Sequence, residues 1–197
     1  MTQSKNQSKT QSKLLVTSFQ TWLPHQSENA SDVLLGAVEQ ALPETCILLR
    51  KLPVDFEEAP RQVLRAMQRD RPKIIVACGM AEGRSRLTVE QFARRDGTVL
   101  QTPLPLPQLI AGLPCTDIST DAGQFVCNSL YFDLLALMAI AAAAKHRTEP
   151  WKAAVFVHVP VLTSENQGAI AADFQTFLHR LAAFPVDALS FDSLLHG

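Results

Sequence analysis

The chain has 197 residues, 47% of them apolar and 19% charged, and a formal net charge of −1. That balance suits one globular domain with a sizeable core and carries no basic stripe for nucleic acid and no charged face for a membrane surface. Its four cysteines, Cys46, Cys78, Cys115 and Cys127, form no C-x-x-C pair and are too few for a disulfide framework, which excludes a zinc knuckle and a thioredoxin motif.

The first residues, "MTQSKNQSKTQSK", repeat Gln-Ser-Lys and hold no apolar residue after Met1. Such a segment cannot pack a core, so residues 1–12 are expected to form a disordered polar tail and residues 13–197 a single catalytic-type domain. The tail lacks the apolar centre of a signal peptide, and a cytoplasmic location is the expectation. "KLLVTSF" reads as a buried strand. After a polar loop, "SDVLLGAVEQAL" has helical spacing, with Ser31 as the predicted N-cap. "CILLRKLPV" reads as a second strand, and "EEAPRQVLRAMQRDRP" as an amphipathic helix stopped near Pro72. "KIIVACGM" has the continuous apolar character of a strand covered on both faces.

Residues 87–102, "LTVEQFARRDGTVLQT", read as a hairpin turning at Asp96-Gly97. The proline-rich stretch that follows has room for one short helix after Pro107, and "CTDIST" reads as a short strand. The run from Val126 to Ala144 is apolar enough to suggest a membrane span, but Asp133 lies inside it. A charge at mid-bilayer costs about 3 kcal/mol, so a buried helix is the reading. "AAVFVHVP" is the last strand, and a final amphipathic helix follows that Thr163 can cap. Strands alternating with helices argue for an α/β sandwich around a largely parallel, helix-covered sheet.

Three residues carry chemical interest. Cys127 falls in the first turn of a helix, just after a strand and a glycine loop. Unpaired N–H groups and the helix dipole at such a place lower a thiol pKa. His158 interrupts an apolar strand near its C-terminal end, and Glu90 stands among alternating apolar residues. Each also has an ordinary reading: a packed thiol, a satisfied core or edge histidine, a solvated strand carboxylate. Together they are the types of a nucleophile, a base and an orienting acid. His25, His146, His179 and His196 lie in loops, on helix surfaces or near the C-terminus and suit the role less. The turn "CGMAEGRS" matches no phosphate loop, which argues against a nucleotide fold.

Several separated blocks resemble pyroglutamyl peptidase I, the cysteine peptidase family C15, in the family's order. "LLVTSFQTW" looks like "LVTGFxPF", "LPVDF" like "LPVxF", and "CGMAEGRSRLTVEQFA" like "GQAGGRxxITxERVA". "DAGQFVCNSL" resembles "TAGTYVCNxL", and "FVHVP" matches "FIHIP". The resemblance implies a three-layer α/β/α sandwich with a mostly parallel or mixed sheet, of the phosphorylase/hydrolase kind. It implies nucleophile Cys127, general base His158 and orienting acid Glu90, with no metal and no organic cofactor. It places the pocket for a pyroglutamyl ring on Phe19, Trp22, Phe125 and Val126, with Asn29 beside them. The implied activity is a thiol protease, an omega-peptidase that removes an N-terminal pyroglutamyl or related lactam-like group through a thioester. The implied partners are a peptide or small amide substrate and a possible second copy of the chain, with no nucleic acid and no membrane. The alternative is a weakened or inactive member of the family that binds a small molecule or peptide.

The chain departs from the pattern in places. The family's Gly-Phe is Ser18-Phe19, its Gln after the third-strand glycine is Met80, and its Arg after the acid is Gln91. Only 37 positions separate Glu90 from Cys127, and the "RIPDNxGxxP" loop is missing. Arg94 and Arg95 are the nearby candidates to replace that loop's arginine.

Overall fold

The computed structural model describes residues 12–143 and 150–189. Residues 1–11, which hold the first two Gln-Ser-Lys repeats, and His146 and His196 lie outside the described residues. Five strands and three helices follow the apolar runs of the sequence: β1 (Leu14–Phe19), α1 (Ala30–Val38), β2 (Cys46–Leu52), α2 (Glu58–Asp70), β3 (Ile74–Met80), β4 (Leu87–Glu90), β5 (Phe92–Arg95) and α3 (Leu106–Ile110). Counting β6 (Thr98–Gln101) ahead of α3, the chain continues with β7 (Thr116–Ser119), α4 (Val126–Ala143), β8 (Ala153–Val159) and α5 (Gln167–Ala183).

Six strands form one sheet in the order β2-β1-β3-β8-β4-β7, and β5 and β6 form a separate hairpin. The neighbours from β2 to β8 run parallel, β4 runs antiparallel to β8, and β7 runs parallel to β4. The sheet is therefore mixed, with helices on both faces.

Alternation along each strand divides the core in two. Leu14, Val16, Ile74, Val76, Val155 and Val157 point to one face and pack with α1 and α5. Leu15, Ile75, Ala77, Ala154 and Phe156 point to the other and pack with α2 and α4. Both faces of the central strands are covered, which explains their continuous apolar runs. Each large apolar side chain buried this way stabilises the fold by about 1.5–3 kcal/mol before chain entropy is counted. The same alternation puts Gly79, Glu90 and His158 on the α4 face, because they follow the phase of Ala77 and Phe156.

Several local expectations change. The N-cap of α1 is Asn29, whose extended backbone lets its side-chain oxygen accept the Ser31 N–H at 3.0 Å. Ser31 instead sends its hydroxyl to the same oxygen at 2.7 Å. The stretch expected as one hairpin is divided: β4 joins the main sheet, while β5 and β6 pair around Asp96 and Gly97. Those two residues have φ of 49° and 80°, the left-handed pair that a two-residue turn needs. The short helix α3 starts at Leu106 and takes Pro107 into its first turn, where a missing N–H is no loss. Ser12, counted with the tail, is buried and its N–H donates to the Ala182 carbonyl at 2.7 Å. Thr163 Oγ1 accepts the N–H groups of Glu165 and Asn166 in the turn that enters α5.

Helix α4 is long and apolar enough to cross a membrane by length and composition. In the fold it lies against the sheet through Leu130, Tyr131, Leu134, Leu135 and Met138, while Ile140 is exposed. It is half-buried rather than sunk in the core, and Asp133 sits at its edge paired with Arg95 at 2.6 Å.

Candidate active site

The C-terminal ends of β3 and β8 meet the start of α4, as the crossovers of an α/β sheet dictate. Gly79 of β3 and His158 of β8 are register partners. On the far side of β8, Thr88 pairs with His158 and Glu90 with Phe156. The imidazole is buried, and its Nδ1 lies 2.8 Å from Glu90 Oε1. The ring also lies 4.8 Å from the Phe156 ring, which holds it from the adjacent position on the same face.

Glu90 is fully buried. A buried carboxylate is costly unless compensated. Its Oε1 has the imidazole, a long hydrogen bond from the Thr88 hydroxyl at 3.4 Å, and the Arg84 guanidinium at 3.6 Å. Its Oε2 has no hydrogen-bond partner. Its backbone carbonyl accepts the Tyr131 hydroxyl at 2.9 Å, which ties β4 to α4.

Cys127 is the second residue of α4. Its sulfur lies directly over Gly79: a Cβ built on that glycine would stand 2.8 Å from Sγ. Only a glycine leaves room for this approach. The first intrahelical bond here runs from the Ser129 N–H to the Phe125 carbonyl, so the N–H groups of the preceding turn are available to a ligand. The expected lowering of the thiol pKa is not what the surroundings produce. Burial pushes the Cys127 thiol up to about 12, and the Glu90 carboxylate adds to the rise. Desolvation of the sulfur beneath the helix outweighs the helix start, and that depends on tertiary packing rather than on local sequence.

The five residues expected to hold a substrate ring fall into two groups. Trp22 and Phe125 are exposed and stack with centroids 4.7 Å apart. Phe19 and Val126 are buried beneath the surface. Asn29 is buried too, with its oxygen used in the α1 cap and its Nδ2 donating to the Gln20 carbonyl at 3.1 Å. Phe56, which the sequence pattern does not single out, is half-exposed and sits edge-on to Phe125 at 5.6 Å. Its hint in the sequence is the last position of the "LPVDF" block, four residues past the end of β2. An open cleft of about 730 Å³ runs past Phe56, Phe125, Gln124, Asn128 and the β5–β6 hairpin.

The arginine candidates are occupied elsewhere. Arg95 binds Asp133, the Ser129 carbonyl and the Ser129 hydroxyl. Arg94 donates to the Thr120 carbonyl at 3.1 Å and lies over the Phe92 ring. The guanidinium that reaches Glu90 belongs to Arg84, from the glycine-bearing turn after β3. Among the described residues no group of three or more His, Cys, Asp or Glu side chains is arranged to hold a metal ion.

Cys78 faces away from this site into the other half of the core, and burial raises its thiol pKa. An unfolded thiol ionises near pH ~8.5, whereas the folded one resists. The stability this contributes is therefore complete below ~8.5 and is lost as pH rises above it, by about 1.4 kcal/mol per pH unit. Thermal melts between pH 7.5 and 10 should show a steeper fall for the wild type than for Cys78→Ala. Parallel curves would contradict the assignment.

The pyroglutamyl peptidase model of peptidase family C15 matches residues 12–97, a span that includes Glu90 and ends ahead of Cys127 and His158. A pyrrolidone-carboxylate peptidase of Lactobacillus helveticus is 25% identical over 180 residues, covering 78% of this chain and 86% of its own. Another from Vibrio vulnificus is 24% identical over 208 residues, covering 90% and 92%. The crystal structure of pyroglutamyl peptidase I from Bacillus amyloliquefaciens superposes with a TM-score of 0.73 at 19% identity, over 89% of this chain and 97% of that one. Pyrrolidone carboxyl peptidase from Thermococcus litoralis gives 0.68 at 20% identity, over 87% and 93%. The structural likenesses establish a shared α/β fold.

Proposed function

We propose that this chain, which is similar to the C15 cysteine peptidases in sequence and fold, is a cysteine hydrolase of N-terminal pyroglutamyl or related lactam-like amides. The observation that carries the reading is the buried His158–Glu90 pair beside Gly79, with the Cys127 sulfur packed on that glycine.

The geometry supports the following roles. Glu90 accepts the His158 Nδ1–H and fixes the tautomer that leaves Nε2 free to take a proton. With the thiol pKa held high, the resting nucleophile is Cys127 S–H, and its proton moves to Nε2 as sulfur attacks the amide carbonyl. N–H groups in the first turn of α4 stabilise the oxyanion. The imidazolium then gives its proton to the leaving nitrogen, the C–N bond breaks, and a thioester remains. Water attacks the thioester carbonyl while His158 takes its proton, releasing the acid and restoring the thiol. Trp22 and Phe125 offer an apolar clamp for a flat ring, Phe19 and Val126 lie beneath it, and Asn29 braces the loop that carries Trp22.

The test compares a fluorogenic pyroglutamyl amide with the matching prolyl amide, which has a charged ring nitrogen and no ring carbonyl. Release of the amine from the first, and far slower release from the second, is the expected result. No release from any lactam amide would overturn the reading.

A further inference from the structure

We infer that Arg84 is a positioning residue for this site: it shares the charge of Glu90 with His158 and clamps the acid to the loop that leads into Cys127. The inference rests on the hydrolase reading for its effect on rate, but its electrostatic part stands on the geometry alone.

Arg84 lies in the turn between β3 and β4, whose Ala81 N–H donates to the carbonyl of Val159, the residue after His158. From there one guanidinium nitrogen, Nη2, meets three elements. It lies 3.6 Å from Glu90 Oε1 on β4, donates to Ser119 Oγ at the end of β7 at 3.2 Å, and donates to the Asp121 carbonyl at 2.9 Å. Ser119 Oγ also accepts the Asp121 N–H, and Asp121 Oδ1 accepts the Gly123 N–H at 2.9 Å. The chain thus runs from Arg84 through a braced loop to Phe125, Val126 and Cys127. Gly123 has a φ of 77°, so this loop holds a fixed left-handed turn just ahead of the helix.

The charge balance supplies the second argument. A fully buried carboxylate with one orphaned oxygen needs a counter-charge, and a neutral imidazole offers only a hydrogen bond. Arg84 supplies the missing positive charge while remaining partly open to solvent. That charge and the ring share Glu90 Oε1, so the guanidinium opposes a second positive charge on His158. Among the described residues the titratable and charged groups around the His158–Glu90 pair are Glu90 itself from β4, Arg84 from the β3–β4 turn, and the Cys127 thiol and Tyr131 hydroxyl from α4. Asp117 of β7 shares the face two strands away and is held at 3.2 Å by Arg86, which also donates to the Pro114 carbonyl.

The experiment compares wild type, Arg84→Gln and Arg84→Lys in three measurements. Melting temperature checks that each variant folds. The His158 ring proton signal, assigned by its absence in His158→Gln, is titrated by NMR. The pH profile of kcat/KM is recorded on the pyroglutamyl amide. Removing the positive charge favours the imidazolium, so in Arg84→Gln the ring titration and the acid limb of the profile should both move up by about one unit. Activity at neutral pH should fall about 10-fold or more through kcat, with KM little changed. Arg84→Lys should restore the titration and only part of the rate, because an ammonium supplies the charge on a shorter stem that does not hold Ser119 and Asp121 as the Arg84 Nη2 does. A folded Arg84→Gln with unmoved titration would overturn the inference. The NMR titration decides between these outcomes even if wild type shows no turnover, a result that would count against the hydrolase reading alone.

Discussion

Replacing Cys127 with alanine is expected to lower kcat for amine release from a pyroglutamyl amide by about 10⁴- to 10⁶-fold, with the fold intact. The size of the effect follows from covalent catalysis. Without sulfur there is no thioester, and only binding and the N–H groups of α4 remain to act on a water molecule. The fold should survive because the change removes one atom from a half-buried residue in the first turn of a helix. His158→Ala should cost nearly as much, since the high thiol pKa leaves almost no thiolate without the base. The double variant should be scarcely slower than either single one, because the two groups act as a unit. Equal rates for wild type and Cys127→Ala would remove the nucleophile from the mechanism. Additive losses in the double variant would show that sulfur and imidazole act separately.

The parts of this structure that are legible in the sequence are those set by local periodicity. The apolar runs of β1, β3 and β8 and the helical spacing of α2 and α5 each report which face is covered. The features that local pattern misplaces depend on partners far along the chain. The strong turn signal of Asp96-Gly97 draws β4 into the hairpin, yet Leu87 and Val89 belong to the core between β8 and β7. Ser31 has the chemistry of a cap, but Asn29 holds the extended backbone that a cap needs. Arg94 and Arg95 are close in sequence to the missing loop. The guanidinium that reaches Glu90 is that of Arg84, because the turn after β3 folds over the end of β8. The thiol pKa departs from expectation for the same kind of reason. A helix start is visible in a sequence, and the desolvation of a sulfur against a neighbouring strand is not. That contact depends on Gly79, which the sequence shows only as a glycine near the end of an apolar strand.

Gly79→Ala is therefore expected to damage stability and rate together, although a strand would ordinarily gain from the change. Glycine in a strand costs about 0.5–1 kcal/mol relative to alanine through chain entropy, and the backbone of Gly79 is not in the left-handed region. By propensity alone the substitution should stabilise. Sterics decide otherwise. The new methyl group would stand 2.8 Å from Cys127 Sγ and 2.9 Å from Phe156 Cζ, both closer than real contacts allow. Neither neighbour can step aside freely. Phe156 is fully buried, with the His158 ring at 4.8 Å and the Tyr131 ring at 6.1 Å, and Cys127 is fixed by its helix. Overpacking of this kind costs about 1–3 kcal/mol, which lowers Tm by about 2–4 °C for each kcal/mol at this chain length. The sulfur must move away from Gly79, the register partner of its base, and a misplacement near 1 Å costs about 100-fold in kcat/KM. Thermal melts and turnover of a pyroglutamyl amide by the same preparation measure both effects. A Gly79→Ala protein with a raised Tm and full activity would mean that the sulfur does not rest on this glycine, and the alignment of Cys127 with His158 would fall with it.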